Sequence, residues 1–199
     1  ELSSIAGRDY LISSKTDGSL TFFDEDASAE RMRLDSSGRL LLGSTTEGEA
    51  TADDLTIATS GHTGITIRSG TSSEGNLFFS DGTSGSDEFR GAVRYYHSNN
   101  NLTFMSDATE AFRVDSSQRL LINHTSARTD FFQATGLNAL INVEGTSNAN
   151  RATSFVYNSN DAGQHLFVIG KSRGTSVGSN TIVQDDDNLG GISFHGADG

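Results

Sequence analysis

Residues Glu30–Gly43 read ERMRLDSSGRLLLG, and residues Glu110–Asn123 read EAFRVDSSQRLLIN. The two phrases align without a gap at a spacing of roughly 80 residues, so the chain must be built by repetition. Arg33 matches Arg113, Asp35 matches Asp115, Ser36 and Ser37 match Ser116 and Ser117, and Arg39 matches Arg119. Upstream, SLTFF at Ser19–Phe23 answers NLTFM at Asn101–Met105, with a small insertion or deletion between the two matches.

Inside the phrase, Met32 and Leu34 alternate with Arg31, Arg33 and Asp35, the period of two expected for a half-buried strand. Leu40 and Leu42 resume the alternation after Asp-Ser-Ser-Gly, which has Asp and Gly at the favoured ends of a type I turn. The phrase therefore predicts a β-hairpin. Gln118 replaces Gly38 in the second copy, so either the turn type changes or Gln118 carries a positive φ at a cost of about 1 kcal/mol. A second hairpin is expected before each copy, from Asp9–Ser14 through KTDG to Leu20–Phe23, and from Ala92–Ser98 through NNN to Leu102–Met105.

Further along, Ile65–Ser72 (ITIRSGTS) is matched to Ile141–Ser147 (INVEGTS). Ala58, Thr59 and Gly61 precede the first, and Ala134, Thr135 and Gly136 precede the second. The reading is an all-β chain of tandem β-hairpin or β-sandwich-like modules at 1–50, 51–128 and 129–199, the last incomplete. Helix signals are weak, because the Ala-containing stretch Glu47–Asp53 is short and rich in Gly and Thr.

Composition limits how such modules are held together. Leu, Ile, Val and Phe make up roughly 23% of the chain, close to the ~20% below which chains tend to stay unfolded. Each module's core is therefore thin, and a partner surface would add burial. There is no Pro, which fits a chain of backbone-paired strands, and no Cys, which removes disulfides and thiolate metal sites. The net charge is -12 with scattered Lys and Arg, against nucleic-acid binding and against anionic membranes. No apolar run is long enough to insert in a membrane as a helix. The start at Glu1 and the end at Gly-Ala-Asp-Gly read as cuts within a longer chain.

Several short patterns resemble chemical motifs. Gly174–Gly178 (GTSVG) fits G-x-S-x-G, with Asp185 and His195 following, but that motif works only at a strand-to-helix elbow, and SNTIV after it reads as a strand. Val168–Ser172 (VIGKS) resembles the end of a phosphate-binding loop, yet His165 stands where the first Gly is needed. His62, His97, His124, His165 and His195 lack metal-ligand spacing. Asp185–Asn188 and Ser80–Glu88 are rich in oxygen ligands but follow no Ca²⁺-loop pattern and read as solvated turns. No catalytic, cofactor or metal residue is assigned. The aromatic pairs Phe22–Phe23, Phe78–Phe79, Tyr95–Tyr96 and Phe131–Phe132 must point to opposite faces of their strands, one ring inward and one outward.

The phrases AERMRLDSSGRLLLGSTT, DDLTIATSGHTGITIRSGTSSEGNLFFSDGTSGSDEFRGAVRYYHSNNNLTFMSDATE and GKSRGTSVGSNTIVQDDDNLGGISFHGADG resemble the repeats of tail-fibre proteins of tailed bacteriophages, especially marine phages infecting cyanobacteria. The resemblance implies a non-catalytic structural protein of the virion, assembled in the host cytoplasm as a parallel homotrimeric, elongated fibre. Its implied partners are its own copies, other tail or adaptor proteins, and a host-surface glycan or outer-membrane protein reached through a distal part. Longer relatives often end in a self-cleaving chaperone domain, which is not visible here. The alternatives are a polysaccharide-cleaving tailspike, a fibre on neck or capsid, and a secreted bacterial adhesin.

Overall fold

The computed structural model describes residues 7–128, 138–147, 153–158, 160–164 and 166–196. The chain is all-β: among the described residues it has 11 strands in two sheets, one 3-10 turn at Gly85–Phe89 and no α-helix. It divides into two compact units, Glu1–Thr66 and Ile67–Gly199.

The first sheet has the order β1-β2-β3-β4-β5, with β1 Tyr10–Ser14, β2 Leu20–Asp24, β3 Ala29–Leu34, β4 Leu40–Leu42 and β5 Leu55–Ile57. The first four strands run antiparallel, as two hairpins joined in series, and β5 adds parallel to β4. The second sheet repeats this arrangement in β7 Gly91–Tyr96, β8 Asn101–Ser106, β9 Thr109–Val114, β10 Leu120–Ile122 and β11 Ile141–Val143. It adds one edge strand, β6 Glu74–Phe79, outside β7.

The repeat extends to irregularities. Both sheets carry a register shift at the same place, between Phe22 and Phe23 opposite β3 and between Phe104 and Met105 opposite β9. The indel seen in the sequence is the loop that follows, Glu25–Ser28 in the first sheet and Asp107–Ala108 in the second. Asp107 and Ala108 both have positive φ, as a two-residue hairpin turn of this hand requires.

The Asp-Ser-Ser turns are the same in both copies. Gly38 N donates to Asp35 O and Gln118 N to Asp115 O, at 3.0 and 2.9 Å. The Asp35 carboxylate accepts from Ser37 N, Arg39 N and Arg39 Nε at 2.9, 3.0 and 2.7 Å, and Asp115 repeats the set with Ser117 and Arg119 at 2.9, 3.0 and 2.8 Å. This explains why Asp and Arg are kept four residues apart. Gly38 has φ +85° and Gln118 φ +63°, so the turn type is preserved and Gln118 bears the left-handed conformation. Gln118→Gly and Ala108→Gly are each expected to stabilise the chain by up to about 1 kcal/mol. A thermal melt would read this as a rise of a few degrees; a fall would mean that these side chains make compensating contacts.

The sequence match of Ile65–Ser72 to Ile141–Ser147 is not the structural one. Register places β11 beside Leu120–Ile122 as β5 lies beside Leu40–Leu42, so Ile141 is the counterpart of Leu55. Residues 63–70 form no strand. The modules read at 1–50, 51–128 and 129–199 are thus out of phase with the sheets: β5 lies beyond residue 50 yet completes the first sheet, and β11 lies beyond residue 128 yet completes the second. Within 129–199, β11 is the one strand among the described residues. Ala134, Thr135 and Gly136 lie outside the described residues.

The buried strand residues are few: Thr21, Asp24 and Leu41 on the first sheet, and Ala92, Asn101, Thr103, Leu121 and Asn142 on the second. Thr21 and Leu41 share one face of the first sheet, and those of the second share the corresponding face. Register lines them up as Ser13, Thr21, Arg33, Leu41 and Thr56, and as Arg94, Thr103, Arg113, Leu121 and Asn142. Arg33 and Arg113 lie between the Thr and Leu positions, where their stems can shield small neighbours while the heads stay charged. Each head is held by a carboxylate three residues back, Glu30 at 2.6 Å and Glu110 at 2.5 Å.

Candidate functional site

The other face of each sheet is apolar. Every strand from β2 to β5 presents an apolar-x-apolar triplet, Leu20-Thr21-Phe22, Met32-Arg33-Leu34, Leu40-Leu41-Leu42 and Leu55-Thr56-Ile57. Register sets the outer members side by side. One row is Ile12, Phe22, Met32, Leu42 and Ile57; the other is Leu20, Leu34, Leu40 and Leu55. The second sheet repeats both, as Leu77, Val93, Phe104, Phe112, Ile122 and Val143, then Tyr95, Leu102, Val114, Leu120 and Ile141. Phe104 and Phe112 stack at 4.5 Å between ring centroids.

None of these row residues is buried. Leu77 is 53% exposed, Val143 51% and Leu55 49%, although the rows hold most of the large apolar side chains of the two sheets. In a strand pattern of this kind the apolar face ordinarily forms the core.

Two clefts lie at the ends of these rows. One, of about 380 Å³, is lined by Ile67, Gly75, Asn76, Leu77, Val93, Tyr95, His97 and Leu102. The other, of about 410 Å³, is lined by Leu55, Ile57, Thr63, Gly64 and Ile65. The first contains two titratable side chains, His97 and Tyr95, whose rings meet edge-on at 4.9 Å; the second contains none. The linings are mainly apolar.

The aromatic pairs point to opposite faces. Phe79 and Tyr95 share the apolar face, while Phe78 and Tyr96 lie with Arg94, whose guanidinium sits 5.2 and 5.6 Å from their ring centroids. The expected inward ring is not found: Phe22 and Phe23 are half-buried, and Phe78 and Phe79 are exposed. Phe131 and Phe132 lie outside the described residues.

Ser176 sits in a turn where Ser179 N donates to its carbonyl at 3.1 Å, and His195 Nε2 meets Ser193 Oγ at 3.0 Å. No hydrogen bond joins Ser176 to Asp185 or His195 among the described residues, and no strand or helix frames the motif. Lys171 of VIGKS pairs with Asp187 at 2.8 Å, and Arg173 pairs with the same carboxylate at 2.7 Å. These bonds hold Asp187 far below the usual carboxylate range. Thus one member of the Asp185–Asn188 run is already neutralised, and among the described residues no group of three or more His, Cys, Asp or Glu could hold a metal.

In Ser80–Glu88, Asp87 pairs with Arg90 at 2.6 Å, and Arg90 also meets Asp107 at 2.6 Å. His124 bridges the carbonyls of Ser126 and Asn142, tying β10 to β11. His62 is exposed, and His165 lies outside the described residues.

Sequence reading missed the Asp24 cluster. Asp24, 1% exposed, takes Arg8 at 2.6 Å and Arg31 at 2.8 Å, and Ala27 N donates to it at 3.0 Å. The hydrogen bond from Arg31 is the main cause that holds its carboxyl below the usual carboxylate range. Asp17 is lowered to about 2, chiefly by Ser19 and then by Arg33. Asp35 is lowered mainly through Arg39 N, and at Asp115 the bonds from Arg119 and Ser117 outweigh a raising effect of burial.

Carboxyls depressed in the folded chain contribute stability that is complete above their unfolded value and is lost as pH falls toward the folded one. The melting temperature is therefore expected to hold level down to about pH 5 and to drop between about pH 4 and 2. A melting temperature that rises across that lower window would mean that the carboxylates are not paired as described.

No protein-family model matches the chain, and no curated protein does either. No helix among the described residues is long and apolar enough to cross a membrane.

Proposed function

We propose that this chain is a segment of a viral tail fibre: a non-catalytic structural component of a virion that supports attachment to the host cell and is assembled as an elongated, parallel homotrimer. The observation that favours this reading is the tandem recurrence of one sheet, strand for strand, with the same bulge and the same Asp-Arg turn. A repeat of this kind suits a load-bearing shaft, where each module need only continue the one before it. Its partners in this reading are its own copies, neighbouring tail or adaptor proteins, and a host-surface glycan or outer-membrane protein contacted by a distal part. Neither nucleic acid nor membrane insertion enters the reading.

The test is immunogold microscopy on virions whose genome encodes the chain, using antibody raised against the recombinant protein. Label along tail appendages is expected. Label on capsid or neck would move the fibre, and absence from purified virions would overturn the reading in favour of an adhesin. Release of reducing ends from host polysaccharide by the recombinant protein would replace the structural reading with an enzymatic one.

A further inference from the structure

The geometry points to the two-row apolar face of each sheet as the surface through which copies of this chain assemble, each sheet packing against the same sheet of further copies. The inference rests on the fibre reading and deepens it by naming the interface. Its basis is the register that sets apolar side chains in two unbroken rows on each sheet, none of them buried.

Three further observations select a second copy as the occupant. The first is exposure. Of the row residues, Ile12, Leu20, Leu34 and Leu55 of the first sheet are 41–49% exposed, and Leu77, Ile141 and Val143 of the second are 51–64% exposed. Contiguous apolar rows left this open mark an interaction surface, which a copy presenting the same rows would cover.

The second is charge. Neither row contains a charged residue, so like faces meet without repulsion despite a chain charge of -12. The charged side chains lie on the opposite face or at the strand ends, where Arg33, Arg39, Arg113 and Arg119 already have carboxylate partners in the chain. Depletion of charge at the centre with charge at the rim is the ordinary anatomy of a protein interface.

The third is the mismatch between the sheets. The second has an additional strand, β6, whose Leu77 lengthens one row. Packing first sheet on first and second on second leaves no row residue unmatched, whereas crossing them strands Leu77 and Tyr95. Like sheet therefore pairs with like sheet between copies.

The chain contains no cysteine, so a single introduced one reports its distance from its own copy. Leu34→Cys and Val114→Cys, at the centre of the rows, are made separately in the full chain, with Ser13→Cys on the opposite face as the control. Light scattering of the unmodified chain is expected to give about three times the chain mass. Mild oxidation should then link chains in pairs through Leu34→Cys and through Val114→Cys, with little linkage through Ser13→Cys.

Linkage through Ser13→Cys but not the other two would overturn the assignment of the face while leaving the fibre reading standing. Preferential linkage of a Leu34→Cys chain to a Val114→Cys chain, over linkage of each to itself, would overturn the pairing of like sheet with like. A single chain mass at every concentration would overturn both this inference and the trimeric fibre. As a second measurement, Leu34→Asp with Val114→Asp should lower the mass to one chain while the β-type far-UV spectrum remains. Retention of the oligomer in that variant would also overturn the assignment.

Discussion

Leu121→Ala is expected to destabilise the second sheet by about 3 kcal/mol, and Leu41→Ala the first by a similar amount. Both leucines are buried, at 0% and 1% exposure, and they are the largest fully buried side chains of their sheets. Each is the middle residue of its triplet and so points away from the apolar rows, into the face flanked by Arg113 and Asn142 or by Arg33 and Thr56. Removing three carbons there forfeits transfer energy and leaves a cavity whose nearest walls are flexible arginine stems, which limits the loss to the lower half of the usual range. Chemical denaturation of the variants measures this. A loss below about 1 kcal/mol would mean that these positions do not form packed interior.

Gly43→Ala is expected to cost about 2–4 kcal/mol, more than its exposed place at the end of β4 would suggest. Gly43 has φ +73°, which penalises any Cβ, and a Cβ built there would lie 2.3 Å from the Ala58 carbonyl oxygen. That oxygen belongs to the residue after β5, whose own N–H donates to Leu42 O at 2.9 Å, so the alanine would push apart the parallel pair. The counterpart in the second sheet is Asn123, also at positive φ (+64°), whose Nδ2 donates to the Glu144 carbonyl at 2.7 Å. Asn is among the residues that best tolerate this conformation. Hydrogen exchange of Leu40–Leu42 and Leu55–Ile57 reads the local effect, with faster exchange expected in Gly43→Ala. Unchanged protection with an unchanged melting temperature would refute the account.

The hairpins were legible because their determinants are local. Alternation at Met32 and Leu34 or Phe112 and Val114 sets which side chains share a face, and Asp35 or Asp115 closes its own turn through bonds spanning four residues. The all-β class followed from the same signals. The partners of β4 and β10 were not legible, because a parallel strand joins through a crossover whose length is free: 43–54 in the first sheet and 123–140 in the second. Similar wording at Ile65 and Ile141 therefore suggested the wrong equivalence.

The apolar triplets could have been read as a signal, since Leu-Thr-Phe, Phe-Arg-Val, Leu-Leu-Ile and Ile-Asn-Val all repeat the same spacing. The Asp24 cluster carries no comparable mark. Arg8, Asp24 and Arg31 come together only when β2 is paired on its one side to β3 and on its other to β1.

By itself, the sequence determined the repeat, the hairpins and the turn chemistry, all of which depend on residues a few positions apart. Only the tertiary structure decided which strands stand side by side, and hence that the outer residues of successive triplets form two rows while Thr21, Leu41, Thr103 and Leu121 are buried on the reverse face. The physical reason is register. Alternation tells which side chains share a face within one strand, whereas backbone pairing between strands decides which of them meet, and that pairing is set by loops and bulges whose lengths the local pattern does not specify.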